Sequence, residues 1–320
     1  MSALGVCQPG FETFLAKEFG ARADGAAGWV MAPSAKPELV FAHYALENHR
    51  SIELASVKTL SAAAADFFLQ SAREERFDSP WPFVVESAAE PGLSARAREV
   101  GSQTLAAVKA RMSRVAKLAQ PGRPGPGPAR GLFLFLSGPG RLFVSRSASF
   151  GGQRRMTDDP RAPSRSYLKA EEAYRVLGRE PAPGQTVADL GAAPGGWSYS
   201  AARRGARVWA VDRGPLKGGA LDALVTAVPE DAFTFVPASP VDWLFCDMVE
   251  DPGAVIGLVS RWLRDGRCRR FVVNLKFNRL DPFALLRRVD ADLRPRCALL
   301  RARHLHHDRE ELTLVGERAA

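Results

Sequence analysis

A run of small residues between positions 187 and 197 is the clearest candidate for ligand chemistry in this chain. It reads VADLGAAPGGW, so a short apolar strand leads into a glycine turn and then a helix. Gly191 permits the tight turn, and Gly195 and Gly196 allow the backbone and the start of the helix to approach a ligand. These features predict a binding site for a nucleotide-like ligand at the carboxyl end of the strand.

The glycine spacing distinguishes this site from two common nucleotide sites. It is G-x-x-x-G-G, whereas a dinucleotide site uses G-x-G-x-x-G and a phosphate loop ends in G-K-S or G-K-T. Hydride transfer and ATP hydrolysis are therefore disfavoured. Asp212 ends the next predicted strand, sixteen residues after Gly196. A carboxylate at that place accepts hydrogen bonds from both hydroxyls of a ribose.

The elements around the turn alternate between helices and apolar strands from residue 163 onward. This alternation predicts a parallel, doubly wound α/β sheet, and a short final link predicts an antiparallel closing hairpin. The predicted helices are Ser164–Val176, Gly196–Arg203, Pro252–Arg264 and Pro282–Asp292. The predicted strands are Thr186–Leu190, Arg207–Val211, Ala232–Val236, Val241–Cys246, Arg270–Leu275, Cys297–His304 and Glu311–Val315.

The first half of the chain predicts a smaller α+β domain. We expect it to span 1–150 and the sheet domain to span 151–320. Gln120–Ala129 is rich in proline and glycine and is predicted to be a loop or linker. Around it we expect a basic helix, the helices Phe11–Phe19 and Ser61–Ala72, the strands Leu4–Cys7, Trp29–Ala32, Leu39–Tyr44 and Pro82–Glu86, and a hairpin of Leu132–Leu136 with Leu142–Ser145.

Positive charge is concentrated in two stretches of a chain of 320 residues whose formal charge is +9. Residues 96–130 hold eight Lys and Arg against Glu99 alone, and apolar residues spaced by three and four between Leu105 and Leu118 predict an amphipathic helix with a basic face. A second basic stretch covers 146–169. Both patches favour binding to a nucleic-acid backbone, and coding bias toward arginine is the alternative explanation.

Several classes of protein are disfavoured by composition. No apolar run approaches the roughly 20 residues of a membrane helix, and the first residues do not resemble a secretory signal. Four widely spaced cysteines without a C-x-x-C pair argue against a zinc or disulfide framework. His304, His306 and His307 lack matching ligands nearby, so no metal is expected. We therefore expect a cytoplasmic protein.

Several blocks of the sequence resemble one known family. DLGAAPGGW (189–197) is similar to motif I of the FtsJ-type S-adenosylmethionine-dependent RNA ribose 2′-O-methyltransferases. The blocks at 163–173, 211–215, 246–250, 274–276 and 307–313 resemble the RlmM family, which methylates a cytidine ribose of the large ribosomal RNA. CQPGFE (7–12) is similar to the start of that family's THUMP-containing RNA-binding region. The implied partner is 23S ribosomal RNA or a precursor particle.

The resemblance implies a Lys-Asp-Lys-Glu catalytic tetrad at Lys169, Asp247, Lys276 and Glu311. A ribose hydroxyl is a poor nucleophile, so methyl transfer needs positioning and help in removing a proton. Lys276 is the candidate general base, because an ammonium that is partly desolvated beside another ammonium loses affinity for its proton. Glu310 is a rival to Glu311, which we prefer because the family places its acid directly before an apolar residue.

The same resemblance implies a set of contacts to S-adenosylmethionine. Asp231 would accept the adenine amino group, and Asp247 would lie near the methyl donor. Ala193 stands where RlmM relatives tend to carry cysteine. The full set is Ser166, Ala193, Pro194, Gly195, Gly196, Trp197, Asp212, Asp231 and Asp247.

Other functions remain as alternatives. The chain has neither the [DN]-P-P-[YFW] loop of base-nitrogen methyltransferases nor a Pro-Cys nucleophile, and Cys246 is predicted to be a buried strand residue. The main alternative is a non-catalytic RNA-binding or ribosome-assembly protein that retains the fold. A third is methyl transfer to a protein or small molecule, which the basic first half disfavours.

Overall fold

The computed structural model describes residues 3–21, 27–34 and 38–320. The chain divides into two compact units, Met1–Gly152 and Gln153–Ala320. The glycine turn and all four residues of the predicted tetrad belong to the second unit.

The first unit is built on one mixed sheet whose strands follow the order β2-β1-β3-β8-β7-β5-β6, with β4 also paired to β8. Its core joins Leu60, Phe68 and Val100 from two helices to Phe133 and Phe135 of a central strand. The elements are β1 Ala3–Val6, α1 Glu12–Phe19, β2 Trp29–Ala32, β3 Tyr44–Glu47, β4 Arg50–Glu53, α2 Val57–Ser71, β5 Trp81–Ser87, α3 Leu93–Arg111, α4 Ser113–Lys117, β6 Ala119–Pro121, β7 Gly127–Gly138 and β8 Arg141–Phe150.

Three predictions for this unit were wrong. Of the predicted strand Leu39–Tyr44, only Tyr44 belongs to a strand, β3, because the amides of residues 40, 41 and 42 donate to the carboxylate of Glu18 instead of to a neighbouring strand. Gln120–Ala129 is not a free loop, since its ends join β6 and β7; β6 is an edge strand, where proline is tolerated. The basic helix is interrupted at Met112, whose ψ of 66° is not helical.

The second unit is a seven-stranded sheet in the order β11-β10-β9-β12-β13-β15-β14. The first five strands in this order, from β11 to β13, pair with one another in parallel. β15 is antiparallel to both β13 and β14. The predicted doubly wound sheet with an antiparallel closing hairpin is confirmed. The elements are α5 Tyr167–Leu177, β9 Thr186–Leu190, α6 Gly196–Ala202, β10 Arg207–Val211, β11 Val225–Val228, β12 Val241–Cys246, α7 Pro252–Arg264, β13 Cys268–Lys276, α8 Pro282–Asp292, β14 Cys297–Arg303 and β15 Glu311–Arg318.

One strand of this unit was predicted in the wrong place. The third parallel strand is β11, whereas 232–236 form a turn. Asp231 closes that turn, because its carboxylate accepts from Phe233 N and its carbonyl from Thr234 N and Phe235 N. Phe235 is buried against Trp262, so the apolar pattern reflects burial of a loop.

The order of the strands places the glycine turn at a functionally favoured position. From β9 the chain runs outward through β10 and β11, then returns to β12 on the opposite side. The strand order therefore reverses between β9 and β12. Ligands of doubly wound folds bind outside the carboxyl ends of the strands at such a point.

Candidate active site

The four predicted tetrad residues meet at the carboxyl edge of the parallel strands. Lys169 lies in α5, Asp247 directly follows β12, Lys276 ends β13 and Glu311 begins β15. Lys276 and Glu311 are direct cross-strand partners, because β13 and β15 are antiparallel in this register. Residues up to 142 positions apart in the sequence thus share one site.

The charged groups of the tetrad form a closed ring in which each ammonium bridges both carboxylates. Lys169 Nζ lies 3.2 Å from Asp247 Oδ2 and 2.8 Å from Glu311 Oε1. Lys276 Nζ lies 2.8 Å from Asp247 Oδ1 and 2.7 Å from Glu311 Oε2. Glu310, the rival acid, is exposed and takes no part in the ring.

The ring favours the charged forms of Lys276 and Glu311. Burial, the largest single influence, disfavours the ammonium of Lys276, but the charges and hydrogen bonds of Asp247 and Glu311 together raise its pKa above the usual value. Burial acts to raise the pKa of Glu311, yet the two lysines lower it overall. The expectation that Lys276 binds its proton weakly is wrong for this state, because two carboxylates outweigh one neighbouring ammonium.

Three supporting residues were not singled out from the sequence. Asn274 Nδ2 donates to Asp247 Oδ1 at 3.2 Å, and the carboxylate of Glu172 accepts from the amides of Arg154, His306 and His307. Asp189 accepts from Ser198 Oγ at 2.7 Å and ties β9 to α6, and burial raises its pKa to about 7. Spacing carried the signal for two of them: Asn274 is two residues before Lys276 on a strand, and Glu172 is three after Lys169 on a helix.

The glycines of the turn are required by close packing. Gly195 has φ +106°, and a Cβ there would lie 2.3 Å from the Cβ of Ala220. Gly191 has φ +74°, and its Cβ would lie 2.3 Å from Cγ of Met248. At Gly196 a Cβ would meet the hydroxyl oxygens of Ser164 and Ser166 at 2.6 and 2.8 Å. Side chains at these positions would displace neighbouring parts of the turn.

A cavity of about 370 Å³ lies beside the tetrad and is lined by four of the predicted cofactor contacts: Ala193, Asp212, Asp231 and Asp247. The carboxylate of Asp212 accepts from the amides of Ala193 at 2.9 Å and Gly214 at 2.7 Å, which fixes its orientation. Asp231 uses one oxygen in its own turn, and the other lies 3.5 Å from Arg213.

The other five predicted cofactor contacts lie outside that lining: Ser166, Pro194, Gly195, Gly196 and Trp197. The indole of Trp197 packs against Phe245 with ring centroids 5.8 Å apart, and its N–H donates to Ser166 O at 2.9 Å. Ser166 Oγ lies 2.7 Å from Ser164 Oγ. These residues build the turn and the start of α6.

The cysteine and histidine side chains have structural environments. Cys246 is fully buried, and burial raises the pKa of its thiol to about 12. His304 Nε2 lies 2.8 Å from Arg309 O, and His307 Nε2 accepts from Met156 N at 3.0 Å. Across the described residues, no group of three or more His, Cys, Asp or Glu is arranged to hold a metal ion. Within the same ranges, no helix has the length and apolar character needed to cross a membrane.

The basic stretches are less positive on the folded surface than along the sequence. Arg146, counted in the second stretch, is buried over the Phe68 ring and bound to Glu75. Only Arg98, Lys109 and Lys117 of the first stretch are both exposed and, among the described residues, without a bonded partner. Acids from outside this stretch pair with four of its arginines, as Arg111–Asp66, Arg114–Asp78, Arg123–Glu86 and Arg130–Glu75.

The fold and the site together define a methyltransferase of the FtsJ-like class. The model of the FtsJ-like methyltransferase family matches residues 162–258. "Ribosomal RNA large subunit methyltransferase M" of Xanthomonas oryzae pv. oryzae (strain PXO99A) is 33% identical over 350 residues, which covers 98% of this chain and 98% of that protein. The chain therefore belongs to the ribosomal RNA large subunit methyltransferase M family, and the family predicted from the motifs is confirmed.

Two further similarities accompany this assignment. The protein of the same name from Laribacter hongkongensis (strain HLHK9) is 42% identical over 225 residues, 64% of this chain and 63% of that protein. Among solved structures, TrmN from Thermus thermophilus covers 100% of both chains at 18% identity and a TM-score of 0.37.

Proposed function

We propose that this protein transfers a methyl group from S-adenosylmethionine to a ribose 2′-hydroxyl of RNA, at a cytidine of 23S ribosomal RNA in the cytoplasm. The observation that carries the proposal is the position of Asp247, which belongs both to the Lys-Asp-Lys-Glu ring and to the lining of the cavity. A hydroxyl held at the ring therefore lies beside a ligand held in the cavity. The names of the relatives support ribosomal RNA as the substrate.

The acidic lining of the cavity fits S-adenosylmethionine. When bound, that molecule supplies a methyl group carried on a positively charged sulfur. Each oxygen of Asp212 has a second lone pair for a ribose hydroxyl, and each oxygen of Asp231 likewise has a second lone pair that could accept the adenine amino group. Asp247 places a negative charge at the end of the cavity next to the ring, where it would offset the positive charge of the ligand's sulfur.

Lys276 is placed to handle the proton of the substrate hydroxyl. Its ammonium is held by Asp247 and Glu311, and Lys169 balances both carboxylates from the opposite side of the ring. We assign Lys276 as the general base, acting through the fraction of the enzyme in which its amine is neutral. Lys169 and Glu311 orient it.

This assignment predicts a rate that rises with pH in the alkaline range. Because the ring raises the pKa of Lys276, the neutral amine is a minor form near pH 7 and becomes about tenfold more abundant with each pH unit below that pKa. We expect the single-turnover rate to increase log-linearly from pH 7 to 9. A rate that is flat over this interval would contradict the role of Lys276 as base.

The two adjacent glutamates give a matched pair of variants. Glu311→Gln removes a carboxylate that both lysines contact, whereas Glu310→Gln changes an exposed side chain outside the ring. We expect the first to lower the methyl-transfer rate by roughly 10²-fold and the second to leave it within about twofold of wild type. The opposite ranking would assign the tetrad acid to Glu310.

The proposed function is tested by mapping ribose methylation across ribosomal RNA in a deletion strain. We expect one 2′-O-methylated cytidine of 23S RNA to be lost and to return when the wild-type gene is restored. RNA from the deletion strain should also accept tritiated methyl groups from the purified protein. An unchanged methylation map together with no transfer in vitro would favour the non-catalytic alternative.

We infer that the first unit contributes to RNA binding, as a THUMP-like domain over about 1–150. The support is the sequence resemblance at 7–12 and the exposed cations Arg98, Lys109 and Lys117. The acids that neutralise four nearby arginines make these three the candidates for phosphate contacts.

A further inference from the structure

Two chain segments meet at the edge of the tetrad and carry an arginine each. The amides of Phe277 and Asn278 both donate to Glu310 O, at 2.9 and 3.3 Å. The first segment directly follows Lys276, and the second directly precedes Glu311. Arg279 and Arg309 therefore lie on adjoining segments, three residues after one end of the ring and two before the other.

The backbone around these arginines is held by hydrogen bonds, while their charged groups have no partner among the residues that the structure describes. Arg309 N donates to Glu311 Oε1 at 3.3 Å, and its carbonyl contacts His304. Both arginines are exposed. Within the described ranges, neither guanidinium has an ion pair, a hydrogen bond or an aromatic contact. Two other arginines of this unit do have carboxylate partners, since Arg161 pairs with Asp159 and Arg165 with Asp158.

The tetrad itself supplies little attraction for an anion. Its two ammonium groups and two carboxylates cancel within one ring, whereas Arg279 and Arg309 add positive charge on the two segments that adjoin it. Guanidinium groups bind phosphate oxygens through two parallel hydrogen bonds.

We propose that Arg279 and Arg309 bind the phosphodiester groups that flank the methylated ribose. This inference rests on the proposed function. The 3′-phosphate is attached to the carbon next to the one that bears the 2′-hydroxyl. Any RNA that presents this hydroxyl to the ring therefore brings a phosphate to its edge, where the two arginines lie. They hold the RNA backbone, whereas the tetrad acts on the hydroxyl.

The test compares the double variant Arg279→Gln/Arg309→Gln with the control Arg269→Gln. Arg269 is exposed on the same strand as Lys276 but seven residues before it, roughly 23 Å away at the opposite end. Binding of deproteinised 23S RNA from the deletion strain is measured without cofactor at several KCl concentrations. The rate of methyl transfer to the same RNA is measured separately.

We expect the double variant to lose about 0.7 to 0.9 per arginine from the slope of log affinity against log salt. Its KM for RNA should rise about tenfold, while kcat at saturating RNA stays near wild type. The control should match wild type in both measurements. An unchanged slope in the double variant, or an equal change in the control, would overturn the proposal.

The two readouts separate this inference from the proposed function. Binding is measured without methyl transfer, so a reduced slope in the double variant supports the phosphate contacts even if wild type proves inactive. Conversely, an active wild type with an unaltered slope in the double variant would refute the contacts and leave the proposed function standing.

Discussion

Replacement of Lys276 by methionine is expected to lower the single-turnover rate of methyl transfer by about 10² to 10⁴-fold, the usual contribution of a general base. Methionine preserves much of the side-chain length but cannot accept a proton. Asp247 and Glu311 keep Lys169 as a partner, so the site retains a cation. The measurement is transfer of tritiated methyl groups to RNA from the deletion strain.

A second variant at the same position separates proton removal from charge. Lys276→Arg keeps a positive charge between Asp247 and Glu311, but arginine does not lose its proton in proteins. We expect this variant to fold as wild type, to bind cofactor and RNA, and to be almost as inactive as Lys276→Met. Substantial activity in Lys276→Arg would show that the residue acts by electrostatic stabilisation alone.

Replacement of Gly195 by alanine is expected to weaken cofactor binding by at least about tenfold. The added Cβ would lie 2.3 Å from the Cβ of Ala220, and the backbone at φ +106° disfavours any side chain. The turn must shift to relieve the contact. Ala193 belongs to this turn, and its amide donates to Asp212; both residues line the cavity. A shift of the turn therefore moves part of the ligand site. Calorimetric titration with S-adenosylmethionine measures the effect.

Gly184 provides the matched control for this effect. Its φ of +81° is similarly unfavourable for alanine, but a Cβ there meets nothing within 4 Å. Gly184→Ala should therefore lower stability by about 1 kcal/mol, as left-handed backbone predicts, without changing cofactor affinity. Equal losses of affinity in both variants would show that the contact with Ala220 is unimportant.

The sequence determined most of the second unit because its signals are local. Apolar strands alternate with helices there, and each element carries its own periodic pattern and glycine or proline boundaries. The exception is 232–236, where a strand-like apolar run belongs to a turn closed by Asp231. In the first unit the strand prediction for Leu39–Tyr44 failed for a similar reason, because the carboxylate of Glu18, more than twenty residues away in the sequence, accepts the hydrogen bonds of the backbone amides. The pattern of apolar residues does not show that Asp231 or Glu18 will accept these backbone hydrogen bonds.

For the site, the sequence supplied the identities of the residues and the tertiary structure decided their electrostatics. The motif blocks identified Lys169, Asp247, Lys276 and Glu311, and the packing of α5 against the sheet brought all four together. Whether the neighbours of Lys276 favour or oppose its charge depends on distances of about 3 Å between charged atoms, which cannot be read from the separation of residues along the sequence. Two carboxylates lie within hydrogen-bond distance of Lys276, so its pKa rises, whereas partial burial beside a second ammonium had predicted a fall.

The basic stretches show the same division. Counting along the chain determined that positive charge is concentrated at 96–130. Only the folded structure decided that four acids from outside this stretch offset much of that charge: Asp66, Glu75, Asp78 and Glu86. Charge interactions fall off with distance and screening, so they depend on which residues the fold makes neighbours. By the same principle Arg279 and Arg309, which have no partner in the described part of the chain, lie at the edge of the tetrad only because β13 and β15 are joined.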